Sequence, residues 1–171
     1  TIASSQGVSG TWSGHLTMTS NVTISGGVTI TVQPGTVITV VQDVSPRQLT
    51  VFGSLQLGGT AQDPIIFTSD VVGPAEPRAD WQGIVVSGAL SGSHFRVFHA
   101  VTGLVLQTAT VANLAHFEVA YAHNTTSDYG GCVRVTVGNH VLSDCYIHDN
   151  LVERTTQIAS GGGISIVGTN T

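Results

Sequence analysis

Lysine is missing from this chain, and charge of either sign is scarce. Five Arg stand against ten Asp and Glu, so charged residues make up 9% of 171 positions, compared with about 25% in an average soluble protein. The net charge is −5 and no basic run occurs. Neutralising a phosphate backbone needs a basic patch, so nucleic acid is excluded as a partner. Cysteine occurs twice, at Cys132 and Cys145, too few for a disulfide scaffold. No apolar run approaches the roughly 20 residues of a membrane span. No stretch repeats its apolar positions at the helical period over ten or more residues.

What is abundant instead is Gly, 21 residues, together with Thr and Val. β-Branched side chains fit a pleated, half-buried surface, and the polarity of such a surface comes from Thr, Ser, Asn and Gln. At this length one domain with a sizeable core is expected.

The chain repeats itself. "WQGIVV" (81–86), "VTGLVL" (101–106), "GGCVRV" (130–135) and "GGGISI" (161–166) align on Gly83, Gly103, Cys132 and Gly163. Ile84, Leu104, Val133 and Ile164 follow, then Val85, Val105, Arg134 and Ser165, then Val86, Leu106, Val135 and Ile166. Alternate residues of a strand face opposite sides, so the polar-tolerant slot points outward and its neighbours inward. A second series, "SHFRVFHA" (93–100), "AHFEVAYAHN" (115–124) and "SDCYIHDN" (143–150), puts Phe95, Phe117 and Cys145 in one inward slot and Val97, Val119 and Ile147 in the next. Arg96, Glu118 and Tyr146 lie between them and face out, which predicts an Arg96–Glu118 pair between neighbouring rungs.

A unit of short strands recurring every roughly 20–30 residues buries its apolar side only by stacking on its neighbours. The predicted architecture is all-β: a right-handed parallel β-helix of about five to six coils with an incomplete C-terminal coil. One domain spans 1–171, with an entry segment at 1–14, first coils at 15–80 and regular coils at 81–171. A β-sandwich also uses short, evenly spaced strands, but its hairpins do not reproduce the same inward slots unit after unit.

"VTITVQPGTVI" (28–38), "GSLQLGGTAQDPIIFTS" (53–69) and "DWQGI" (80–84) resemble the opening coils of secreted and surface bacterial β-helix proteins of the pectin-lyase-like group. The resemblance implies an extracellular or cell-surface location. It does not imply one activity, because the group includes lyases, hydrolases, adhesins, fibres and inert modules. Its lyases use bound Ca²⁺ and an Arg or Lys base, and its hydrolases use clustered Asp. Here the outward slots hold Val85, Val105, Arg134 and Ser165. No catalytic residue and no cofactor is therefore expected, Ca²⁺ being the one ion the resemblance raises.

Binding residues are expected on the connections that lengthen at one corner, since function concentrates on such loops. These carry His123, Asn124, Asp128, Tyr129, Asp149, Asn150, Glu153 and Arg154. His94, His116 and Asp144 share one slot in three rungs and form a weak metal candidate. His148 and His99 are expected to face solvent near the corner. Cys132 and Cys145 read as buried free thiols or as a bridge within one coil. Trp12 and Trp81 read as core or cap residues.

Two functions remain in view. One is a non-catalytic rigid stalk, fibre or adhesin-like module that associates head to tail or continues into further coils. The other is a polysaccharide-binding or polysaccharide-degrading module with a groove at the 123–131 and 151–162 connections.

Overall fold

A computed structural model describes residues 1–71, 73, 78–107, 111–125, 132–136, 138–153 and 162–167. The described residues contain no helix, and every paired strand is parallel to its partner. The chain winds through six coils. Coil one holds β1 (Gly10–Trp12), β2 (His15–Met18) and β3 (Val22–Ile24), and coil two β4 (Thr29–Val32), β5 (Val37–Val40) and β6 (Gln48–Val51). Coil three holds β7 (Ser54–Gly58), β8 (Ile65–Ser69) and β9 (Gly83–Val86), and coil four β10 (Ala89–Phe98) and β11 (Leu104–Leu106). Coil five holds β12 (Val111–Ala120), β13 (His123–Asn124) and β14 (Val133–Thr136). Coil six holds β15 (His140–Ser143), β16 (Tyr146–His148), β17 (Leu151–Val152) and β18 (Ile164–Val167). The entry segment joins the stack too, through bridges from Ile2 to Met18 and from Gln6 to Ile24.

Stacking generates three faces. One runs β1–β4–β7, the first half of β10, the first half of β12, then β15. The second runs β2–β5–β8, the second halves of β10 and β12, then β16. The third runs β3–β6–β9–β11–β14–β18. Both repeat series are reproduced: Ile84 lies beside Leu104, Leu104 beside Val133 and Val133 beside Ile164, while Phe95 lies beside Phe117 and Val97 beside Val119. The sequence repeats marked two of the three faces. The remaining face, Leu55 beside Leu90 and Leu90 beside Ala112, carries the same alternation in weaker form.

The lumen is apolar and continuous. Ile30, Leu55, Leu90, Ile84, Leu104 and Val119 are among its buried members, and Trp12 and Trp81 belong to it as expected. Trp81 also donates its indole N–H to the Phe98 carbonyl at 2.9 Å. Strands β4 to β8, in coils two and three, bury alternate side chains, so rungs interdigitate only in this register.

Corners change along the axis. In coils one to three the turn between the first two faces uses separate residues. Gly35, at φ 70°, follows Pro34, and the buried Thr36 hydroxyl donates to the Gln33 carbonyl at 2.7 Å. In coils four and five the strand runs through that corner on one left-handed residue, His94 or His116, each at φ 51°. Asp144, at φ 49°, takes the same place in coil six. A second left-handed file, His99, Tyr121 and Asp149, marks the next corner. Gly83 explains the "WQGI" step: its φ is 103°, and an added Cβ would collide with the Thr102 carbonyl.

The expectation that Cys145 is buried is corrected. Its rung is the last of its face among the described residues, and it is an exposed free thiol while Cys132 is buried and also free.

Candidate functional site

A shallow groove of about 220 Å³ follows the left-handed file on the outside of coils three to six. Its wall includes His94, Arg96, His116, Glu118, Asp144 and Tyr146. Parallel register creates it: Arg96 lies beside Glu118 and Glu118 beside Tyr146, all pointing outward. His94 and His116 stack with ring centroids 4.8 Å apart.

Polar contacts tie the groove together. Arg96 Nε lies 3.2 Å from Glu118 Oε2, the predicted pair. The other oxygen of Glu118 lies 2.9 Å from His148 Nε2, and Asp149 Oδ2 lies 2.8 Å from His148 Nδ1. His148 is thus held between two carboxylates. Burial alone would lower its proton affinity, but the hydrogen bonds from Asp149 and Glu118, with their charges, outweigh that and raise its pKa. The Tyr146 ring stacks on His148 at 3.9 Å, and Tyr121 meets it edge-on at 5.9 Å. The expectation that His148 faces solvent is corrected: only 18% of its side chain is exposed.

His99 is also drawn inward. Its Nδ1 lies 3.3 Å from the Thr68 hydroxyl, its ring stacks on Tyr121, and its Nε2 is buried without a hydrogen-bond partner among the described residues. Burial first, then the charge of Arg78, lowers its pKa, against the opposing pull of Asp80. Arg78 and Asp80 pair at 2.9 Å, and Asp80 accepts from the Ser69 hydroxyl at 2.6 Å. This half-buried cluster fastens the connection between β8 and β9.

The two growing connections leave one corner, as β13 pairs β17 with His123 beside Leu151. His123 Nε2 and Glu153 Oε2 lie 3.2 Å apart there. Asn124 does not line a rim: it is buried and donates its amide to the Thr102 hydroxyl at 3.0 Å. Asn150 joins two turns, accepting from the Ala122 N–H at 2.9 Å and donating to the Val119 carbonyl at 3.0 Å. Asp128, Tyr129 and Arg154 lie outside the described residues.

His94, His116 and Asp144 do sit in one file, with His116 Nδ1 and Asp144 Oδ2 3.8 Å apart. Face-to-face rings do not aim their nitrogens at one point, however, and among the described residues no group of three His, Cys, Asp or Glu can hold a metal ion. The donor set therefore does not fit Ca²⁺, which takes six to eight oxygens.

Sequence reasoning found Arg96–Glu118 but missed His148, Tyr146 and Tyr121 as a unit. Alternation held the signal. His148 is two residues beyond Tyr146 on the same face, and a diagonal cross-strand neighbour is within reach of a long side chain such as Glu118.

No helix of the described residues is long and apolar enough to cross a membrane. A family model described as a pectate-lyase-like beta helix domain matches residues 8–135. No curated protein and no solved structure matches the chain.

Proposed function

The chain belongs to the pectate-lyase-like β-helix domain family, and from that premise we propose that it is a rigid, non-catalytic module of an extracellular or cell-surface protein. One observation carries this reading. Glu118 of the groove wall and Asp149 at the adjacent corner are both committed to His148, Glu118 also to Arg96, and Asp144, the other carboxylate of the groove wall, lies 3.8 Å from His116 Nδ1. Hydrolysis of a glycosidic bond needs one carboxyl group to donate a proton and another to act as base or nucleophile. Carboxylates already shared with cations are poor at either task. What the geometry favours is stiffness: three stacked faces around one lumen, with the corners bonded from coil to coil.

Within this reading the apolar side of coil six is offered to a further coil, of the same chain or of another copy. Ile164 and Ile166 point along the lumen side and are 41% and 76% exposed. Incubation with acidic and neutral polysaccharides tests the catalytic question. The expected result is no new reducing ends and no unsaturated products. Turnover that disappears in Asp149→Asn or Glu153→Gln overturns the proposal.

A second reading, polysaccharide binding without cleavage, is favoured by Tyr146. It is 63% exposed, its ring is braced by His148, and it sits beside Glu118 in the groove wall. Aromatic faces stack on the C–H faces of sugars. Binding lost in Tyr146→Ala, with folding intact, supports this reading; binding unchanged in that variant removes it.

A further inference from the structure

Coils five and six meet differently from the coils before them. Three imidazole–carboxylate pairs cross this junction: His148 with Glu118, His123 with Glu153, and His116 with Asp144. Among the described residues no imidazole–carboxylate pair links successive coils from coil one to coil four, where the side-chain bonds between coils are ones such as Thr31 to Gln56 and Thr68 to His99. An imidazole–carboxylate pair gains its full charge attraction only when the ring carries a second proton.

His148 is the decisive member. A carboxylate oxygen can only accept a hydrogen bond, and a neutral imidazole has one donor and one acceptor nitrogen. Both nitrogens of His148 face carboxylate oxygens within 3 Å. The arrangement is satisfied in full only by the doubly protonated ring. We infer that coil six is fastened to coil five by a proton-dependent clasp, in which the His148 imidazolium joins Glu118 of coil five to Asp149 of coil six. Loss of one proton turns one of those contacts from attraction into repulsion between lone pairs.

The surroundings of His148 agree. From β12 it faces Glu118, with Arg96 behind that carboxylate, and from the residue after β12 it faces Tyr121. On its own coil it faces Tyr146 and Asp149. Arg96 is the one cation among these, and it draws on the same carboxylate without displacing the imidazole. At the neighbouring pair, His94 of coil four stacks on His116, and Asp144 lies 3.8 Å from the His116 Nδ1.

The clasp has a consequence for the groove. Tyr146 rests on His148, so the ring that forms one wall is held in place only while the clasp is closed. Acidity then sets whether that wall is in register with Arg96 and Glu118.

The sign follows from linkage. The folded-state pKa of His148 lies above its ordinary value of about 6.5. The clasp is fully present below that ordinary value and is lost as pH rises through the folded one.

Hydrogen exchange on the intact chain tests this. The amides to follow are Leu151, which donates to the Ala122 carbonyl, and Glu153, which donates to Asn124. After correction for intrinsic rates, their protection should be higher at about pH 5.5 than at about pH 8.5. Amides of β9 should not change. Asp149→Asn keeps a residue that tolerates the left-handed backbone and should move the midpoint to lower pH, while His148→Gln should abolish the pH dependence. Equal protection at both pH values overturns the inference, as does a pH difference of the parent's size that survives in His148→Gln. Titration of the native protein by NMR gives a check that needs no variant. A His148 ring that titrates at or below the ordinary value also overturns it.

Discussion

Phe95 and Phe117 lie ring on ring in adjacent coils, centroids 5.2 Å apart and planes 6° from parallel. Both are almost fully buried, at 1% and 2% exposure. The pair shows how the solenoid is stabilised: the same side chain in the same slot packs against its own copy one rung away. Offset aromatic pairs contribute about 0.5–1.5 kcal/mol beyond the area they bury. Phe117→Ala should therefore cost about 3–5 kcal/mol, the usual range for emptying a core aromatic site. Phe117→Leu should cost markedly less because it leaves a smaller void. Urea denaturation of both variants checks the order. Equal loss in the two would mean that ring geometry and cavity volume are not what matters here.

That slot was legible in the sequence because its neighbours alternate strictly, with Arg96 and Glu118 outward between apolar residues. The first series was legible for the same reason, from Ile84 to Ile164. What stayed hidden was the geometry of corners. Nothing in "SHFRV" or "AHFEV" announces a residue with positive φ, since His is not Gly and the strand continues through it. Distances around corners were hidden as well, so His148 and His99 read as solvent-facing when the bend folds them onto Glu118 and Thr68. The burial of Cys145 was misread for a third reason: a slot is buried only if another rung covers it.

His94 offers a direct measure of corner strain. A left-handed backbone costs an ordinary L-residue roughly 1–2 kcal/mol, and least for Asn and Gly. His94→Asn should change stability by less than about 1 kcal/mol, the lost stacking on His116 being offset by an easier backbone. His94→Val, with a β-branched side chain forced to φ 51°, should cost about 1–2 kcal/mol more than His94→Asn. Thermal unfolding of the two variants, compared with each other rather than with the parent, isolates the backbone term. No difference between them would mean that the corner relaxes freely.

His99 should give a pH dependence of opposite sign to that of His148. Burial, followed by the Arg78 charge, holds its folded-state pKa below the ordinary value of about 6.5. The unfolded chain therefore takes the proton first on acidification. Its contribution is present above about pH 6.5 and is lost as pH falls from there through the lower folded value. In His99→Gln the fall in unfolding free energy from about pH 7 to about pH 5 should be shallower than in the parent. Urea midpoints across that interval make the comparison. A parallel fall in the two proteins would show that His99 does not carry the acid limb.

Cys132 and Cys145 make the same chemistry report on two environments. Burial pushes the Cys132 thiol up to about 12 and leaves it no exposed surface, while Cys145 is exposed at the last described rung of its face. The reactive species is the thiolate, so at about pH 8 an alkylating reagent meets Cys132 almost wholly as an unreactive thiol behind a closed wall. Brief alkylation of the native protein should label Cys145 and spare Cys132. Both should be labelled after denaturation, and peptide mass spectrometry assigns each site. The result also tests the winding of the chain, because Cys132 begins the rung that covers Gly103, whose added Cβ would meet the Cys132 carbonyl. Equal labelling of the two thiols in the native state would mean that coil five opens on the time scale of the reagent, and that the lumen is not closed at that rung.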